Sequence, residues 1–71
     1  MTKEEFRDAL VRCQLRQVDA AWICGVGERH VRAWVSGRYP VPQYAALLVT
    51  AYEQGKITAN WLIKTIGETP P

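Results

Sequence analysis

Little in this sequence could staple a small fold covalently. There are two cysteines, Cys13 and Cys24, and one histidine, His30. Three such residues, without metal-ligand spacing, make no zinc site, so no metal and no cofactor are expected. The opening residues Met1-Thr2-Lys3-Glu4-Glu5-Phe6 carry charge where a secretory leader is apolar. A reducing cytoplasm is therefore the expected compartment, and free thiols are expected rather than a disulfide. No apolar run approaches the roughly 20 residues that cross a bilayer, so no membrane association is expected. No stretch alternates polar and apolar residues with a period of two, which argues against strands. Internal repeats and low-complexity tracts are also missing. Paired carboxylates, a Cys–His dyad at useful spacing and a phosphate-cradling glycine loop are absent too, so an enzyme is not expected.

What is present is a single short domain. At 71 residues a chain buries only about 60% of its unfolded surface, and a partner chain is the remaining source of extra burial. The net charge of +2 is small but unevenly placed. Over residues 1–27, Lys3, Arg7, Arg12 and Arg16 balance Glu4, Glu5, Asp8 and Asp19. Over 39–71, Lys56 and Lys64 balance Glu53 and Glu68. The surplus lies in 28–38, where Arg29, Arg32 and Arg38 face Glu28 alone. A local basic patch is the footprint of an element that meets phosphate, although charge alone fits a solvated helix face equally well.

Five helices are expected. Thr2 caps the first and Glu5 completes a capping box; the helix runs to about Cys13 with Phe6, Leu10 and Cys13 on its buried face. The second begins near Gln17 and stops at Gly25, which accepts the left-handed backbone of a sharp turn. The third covers about Glu28 to Ser36. The fourth opens with Pro42 in its first turn and reaches about Gln54, before Gly55. Thr58 caps a fifth that ends before Gly67. Residues 1–67 thus form the domain, and 68–71 a disordered tail. Cys13 and Cys24 are expected as small core residues.

The spacing of Ala21, Gly25, Val31 and Trp34 fits two short helices crossing at a tight turn. Ala21 permits close approach, Val26 points inward, and Val31 and Trp34, three apart, pin the third helix onto the core. Arg29, Arg32, Ala33 and Ser36 then face outward, and Glu28 projects from the helix start. Small residues let a helix sit deep in a major groove. Arginine can pair bidentately with guanine, and glutamate can accept from the cytosine amino group. His30 lies off the outward centre and reads as a solvated flank residue.

The stretch Leu15-Arg16-Gln17, Ala20-Ala21, Gly25-Val26-Gly27-Glu28-Arg29-His30-Val31-Arg32-Ala33-Trp34, Gly37 and Pro40 resembles the Cro/C1-type (lambda-repressor-like) helix-turn-helix family. The fold this resemblance implies is all-α: a five-helix lambda-repressor-like domain with the helix-turn-helix at helices 2 and 3. The function it implies is a sequence-specific, double-stranded-DNA-binding transcriptional regulator, a small (auto)repressor encoded by a bacterium, phage, plasmid or other mobile element. By the same resemblance Glu28, Arg29, Arg32 and Ala33 meet base edges, while Gln17, Arg38 and Tyr39 meet the DNA backbone. Ser36, at the end of the outward face, joins the backbone set. Three departures stand out. Arg16 replaces the usual Ser or Thr cap of helix 2, which loses a cap worth about 1 kcal/mol and gains a charge that reaches phosphate. Gly27 replaces Ser, and Trp22 stands where polar residues are common. Trp22 has three open placements: beneath the C-terminal helix, in a dimer interface, or with its indole N–H on a phosphate.

Helix 4 is apolar around more than half its circumference, with Ala45, Leu48, Val49 and Tyr52 on one face and Tyr44, Leu47 and Ala51 extending it. On helix 5, Leu62 and Ile66 are flanked by Trp61 and Ile63. Such helices touch two things, the core and either each other or a second chain. The expected partners are therefore double-stranded DNA with an inverted-repeat operator and a second copy, met through Leu47, Ala51, Trp61, Ile63 and Trp22. No small-molecule ligand is expected. The competing function is a protein-interaction module of the same fold, antitoxin-like or adaptor, without specific DNA binding; an apolar stripe on the outer face of helix 3 would mark it.

Overall fold

A computed structural model describes all 71 residues. The chain forms five helices and no strand: α1 Lys3–Arg12, α2 Gln17–Cys24, α3 Glu28–Ser36, α4 Gln43–Glu53 and α5 Ala59–Ile66. The radius of gyration, 11.2 Å, is what a folded domain of this length should have, about 11 Å. No helix is long and apolar enough to cross a membrane.

Local chemistry sets the helix ends. The Thr2 side chain accepts from the Glu5 amide at 3.1 Å and Glu5 accepts from the Thr2 amide at 2.8 Å, a complete capping box. At the end of α2, Gly25 has φ +70°, the Val26 amide donates to the Ala21 carbonyl at 3.0 Å, and the Gly25 amide donates to that of Trp22 at 3.3 Å. These are the paired bonds of a Schellman stop, and they reverse the chain in three residues. The end of α1 uses the same pair of bonds, Leu15 to Leu10 at 2.9 Å and Gln14 to Val11 at 3.0 Å. There the left-handed position is held by Gln14, φ +56°, the one non-glycine residue with positive φ. Pro42 is the N-cap of α4, one position ahead of its expected place in the first turn.

The main core joins α1 to α4: Phe6, Ala9 and Leu10, then Ala20 and Ala21, then Val31 and Trp34, then Ala45 and Val49. Phe6 and Leu10 hold the buried face of α1 as expected, joined by Ala9, whereas Cys13, expected on the same face, does not. Cys13 is the C-cap of that helix, where the chain already turns away, and it is half-buried. Cys24 is likewise at the rim rather than inside, packed against the cluster. Both thiols are free. Burial pushes the Cys24 thiol up to about 11, which keeps it protonated and unreactive near neutral pH.

Trp34 lies between α1 and α4. Its ring meets Phe6 edge-on at 5.9 Å and 82°, and Tyr44 at 6.1 Å and 80°. Contacts of this kind contribute about 0.5–1.5 kcal/mol each beyond the area they bury. They also set the rotation of α3, because one large side chain is held from two directions. The C-terminal third is attached more lightly. On α4 only Ala45 and Val49 are buried, with Leu48 and Tyr52 half-buried. On α5 only Leu62 is buried; Ile66, expected beside it, is exposed.

Candidate nucleic-acid interface

With Val31 and Trp34 held inward, α3 turns Arg29, Arg32 and Ser36 to solvent and leaves Ala33 half-buried between them. The outer side of α3 then forms one wall of a shallow depression of about 530 Å³. Arg29, Arg32, Ala33 and Ser36 line it from α3, Arg38 from the following loop and Gln17 from the first turn of α2. Six of the sequence-derived contact residues are therefore brought together on one surface. A second hollow of about 410 Å³ adjoins it through Arg29, Ala33 and Arg38, and holds Tyr39 and His30. The Arg38 guanidinium lies 5.7 Å above the centre of the Tyr39 ring, a cation–π contact that keeps both side chains on this face.

Two expected members stand apart. Glu28 is exposed in the first turn of α3 and lines neither hollow. Arg16, expected to offer a free charge to phosphate, is engaged within the chain. Its guanidinium meets the Asp19 carboxylate at 3.0 and 2.9 Å and the Pro71 carbonyl at 2.9 Å. No side chain caps the first-turn amides of α2; only the reverse half of a capping box is present, with Asp19 accepting from the Arg16 amide at 2.9 Å. The Arg16 guanidinium holds the Asp19 carboxyl below its ordinary range.

Sequence reasoning missed Arg7. It reaches across from α1, 28 residues away, and its Nε donates to the Val35 carbonyl of α3 at 2.8 Å. It lines the same depression as Arg29, Arg32 and Arg38. The six arginines then fall into two groups. Arg12 is ion-paired with Glu53 at 2.6 Å and Arg16 with Asp19 at 2.9 Å. Arg7, Arg29, Arg32 and Arg38 form no ion pair, and no carboxylate lines the depression they share. Four uncompensated cations in one shallow hollow repel one another, and an anionic surface would relieve that repulsion. No group of three His, Cys, Asp or Glu side chains is gathered to hold a metal ion.

The C-terminal side differs in kind. Leu47 is 62% exposed and Trp61 51%, with Tyr44 and Ile66 also exposed; Ala51 and Ile63 are half-buried. Trp22 is half-buried. It lines two hollows that run beneath the C-terminal segment, one with Tyr52, Ala59 and Pro70, the other with Ile66 and Glu68. Its indole N–H is buried without an acceptor, and its neighbours along the C-terminal segment match the first of the three placements open to it. No protein-family model, curated protein or solved structure matches the chain.

Proposed function

We propose that the chain is a sequence-specific, double-stranded-DNA-binding regulator of the Cro/C1-type, with α2, the Gly25 turn and α3 as a helix-turn-helix and α3 entering the major groove. The observation that carries this reading is the sorting of the arginines: those on other faces are ion-paired, and those around α3 are left with free donors. Guanidinium groups with free donors suit guanine edges and phosphates alike. Arg29 and Arg32 read bases, while Gln17, Ser36, Arg38 and Tyr39 set register on the backbone. None of the large exposed apolar side chains lies on α3, which favours DNA over a protein partner for that face. Two copies joined through Leu47, Ala51, Trp61 and Ile63 would present two α3 helices about 34 Å apart to an inverted repeat. Resemblance to the family supports an autorepressor role in a phage, plasmid or other mobile element.

Selection of duplexes from a random-sequence pool tests the reading. The natural protein should enrich a short inverted repeat and bind it with an affinity that falls steeply with salt. Arg29→Ala should cost about 1–3 kcal/mol and relax preference at one position per half-site. Enrichment of no duplex, or binding indifferent to salt, would overturn the proposal.

A further inference from the structure

The depression beside α3 has a second wall that belongs to α1. Arg7 forms part of it, and its place is fixed. The bond from Nε to the Val35 carbonyl uses one of five guanidinium donors and leaves four. Val35 is one of the last four residues of α3, whose carbonyls lack intrahelical partners, so the bond also completes a helix end. One turn earlier Lys3 lies along the same end. A Cβ added at Gly37 would stand 2.8 Å from Lys3 Cδ and 3.1 Å from Nζ, so the lysine stem runs over the bare glycine backbone and delivers its ammonium beside the loop that carries Arg38. Lys3 and Arg7, four residues apart, make one stripe of α1, and both are exposed. Glu4 and Asp8 occupy the next stripe, about 100° around the helix, and pair with neither cation.

Stabilising the C-terminal dipole of α3 accounts for a cation at this position. It does not account for two, both exposed and both without a carboxylate, Arg7 lining a hollow that already holds three further arginines and Lys3 one helical turn away, against Gly37. We propose that Lys3 and Arg7 form a basic rail that grips the phosphate backbone of the duplex on the α1 side of the recognition helix. The inference rests on the DNA binding proposed above and extends it to a helix outside the α2–α3 unit. The rail is pre-positioned. Phe6, adjacent to Arg7, is fully buried against Trp34, so α1 and α3 hold one relative orientation, and the Arg7 side chain, already bonded to Val35, loses little further freedom when DNA arrives. Contacts of this kind carry affinity and register but no sequence preference.

The test compares Lys3→Gln, Arg7→Gln and the double variant with the natural protein, on the duplex recovered by selection, between 50 and 200 mM salt. Lys64→Gln on α5 is the control. Each phosphate contact contributes about 0.9 to the slope of log affinity against log salt. The advantage of the natural protein over each single variant should therefore shrink about 3-fold per protomer across that range. The ranking of duplex sequences should stay the same, and Lys64→Gln should behave as the natural protein does. If Arg7→Gln melts below the assay temperature, Lys3→Gln, which breaks no hydrogen bond, decides alone. An unchanged salt slope in Lys3→Gln and Arg7→Gln, with Arg29→Ala still impaired, would overturn the rail and leave the DNA reading standing. A changed sequence ranking would overturn it too, since it would place these side chains on bases. Failure of the natural protein to bind any duplex would overturn both.

Discussion

The surface around α3 and the surface around α4 and α5 are unfinished in opposite ways. Beside α3 the surplus is charge, four arginines without a counter-ion, two of them on α3, one on α1 and one in the following loop, around a helix gripped from two sides through Trp34. On the C-terminal side the surplus is apolar, with Leu47 and Trp61 more than half exposed on helices that contribute only Ala45, Val49 and Leu62 to the interior. The pairing of firm support with exposed charge suits a reader of a stiff, anionic duplex, whose contacts must arrive in register. Light support with exposed apolar area suits a surface completed by another chain. In a small domain the two needs compete for the same few residues, and here they are separated onto different helices.

Substitutions in the two regions should differ most in their effect on folding. Phe6→Ala removes the ring that holds Trp34 from the α1 side and should cost about 3–5 kcal/mol, a large share of what a domain of this size has. Trp61→Ala, an equally drastic truncation at an exposed site, should change stability by only about 0.5 kcal/mol. Urea unfolding of dilute protein measures both, and equal losses would break the distinction between a firm and a light region.

The turn that aims α3 comes next in size. Gly25→Val puts a branched side chain where φ is +70°. Nothing lies within 4 Å of the added Cβ, so the cost is backbone strain alone, about 1–3 kcal/mol. A thermal melt identical to that of the natural protein would show that the turn does not depend on its left-handed residue.

The apolar side can be sharpened by sedimentation. Leu47→Ser and Trp61→Ser should each weaken self-association at least 10-fold, about 1.4 kcal/mol, while leaving the fold intact. If the natural protein already sediments as a lone 8.1 kDa species at micromolar concentration, this surface does not hold a preformed second copy. The last effect is a gain. Gln14 performs at the end of α1 the task that Gly25 performs at the end of α2, at a conformational cost glycine does not have. Gln14→Gly should stabilise by about 0.5–1 kcal/mol, read as a raised melting temperature.

Most of the helix architecture was legible because its signals are local. Thr2 with Glu5, Gly25 before Val26, and the three-residue step from Val31 to Trp34 each act within one or two turns of chain, and they sufficed to orient α3. What escaped depends on residues far apart in sequence. Nothing near Arg7 indicates that it meets Val35, and nothing near Arg12 indicates Glu53, 41 positions away at 2.6 Å. Periodicity placed Cys13 on the buried stripe of α1 correctly as to angle, but not as to length, since the core ends before the helix does. The engagement of Arg16 was half visible: Asp19 stands three residues on, where a capping carboxylate belongs, and that spacing could have removed Arg16 from the contact residues in advance.

The three tryptophans occupy three different surroundings. Trp34 is 4% exposed in the core, Trp22 lies beneath the C-terminal segment with its indole N–H unpartnered, and Trp61 stands half in solvent. The protein thereby carries a fluorescent probe in each of its districts. Iodide quenching reaches Trp61 first, release of the C-terminal segment red-shifts Trp22, and only global unfolding changes Trp34, so single-tryptophan variants would let the assembly, the docking of α5 and the melting of the core be followed optically, each without a label.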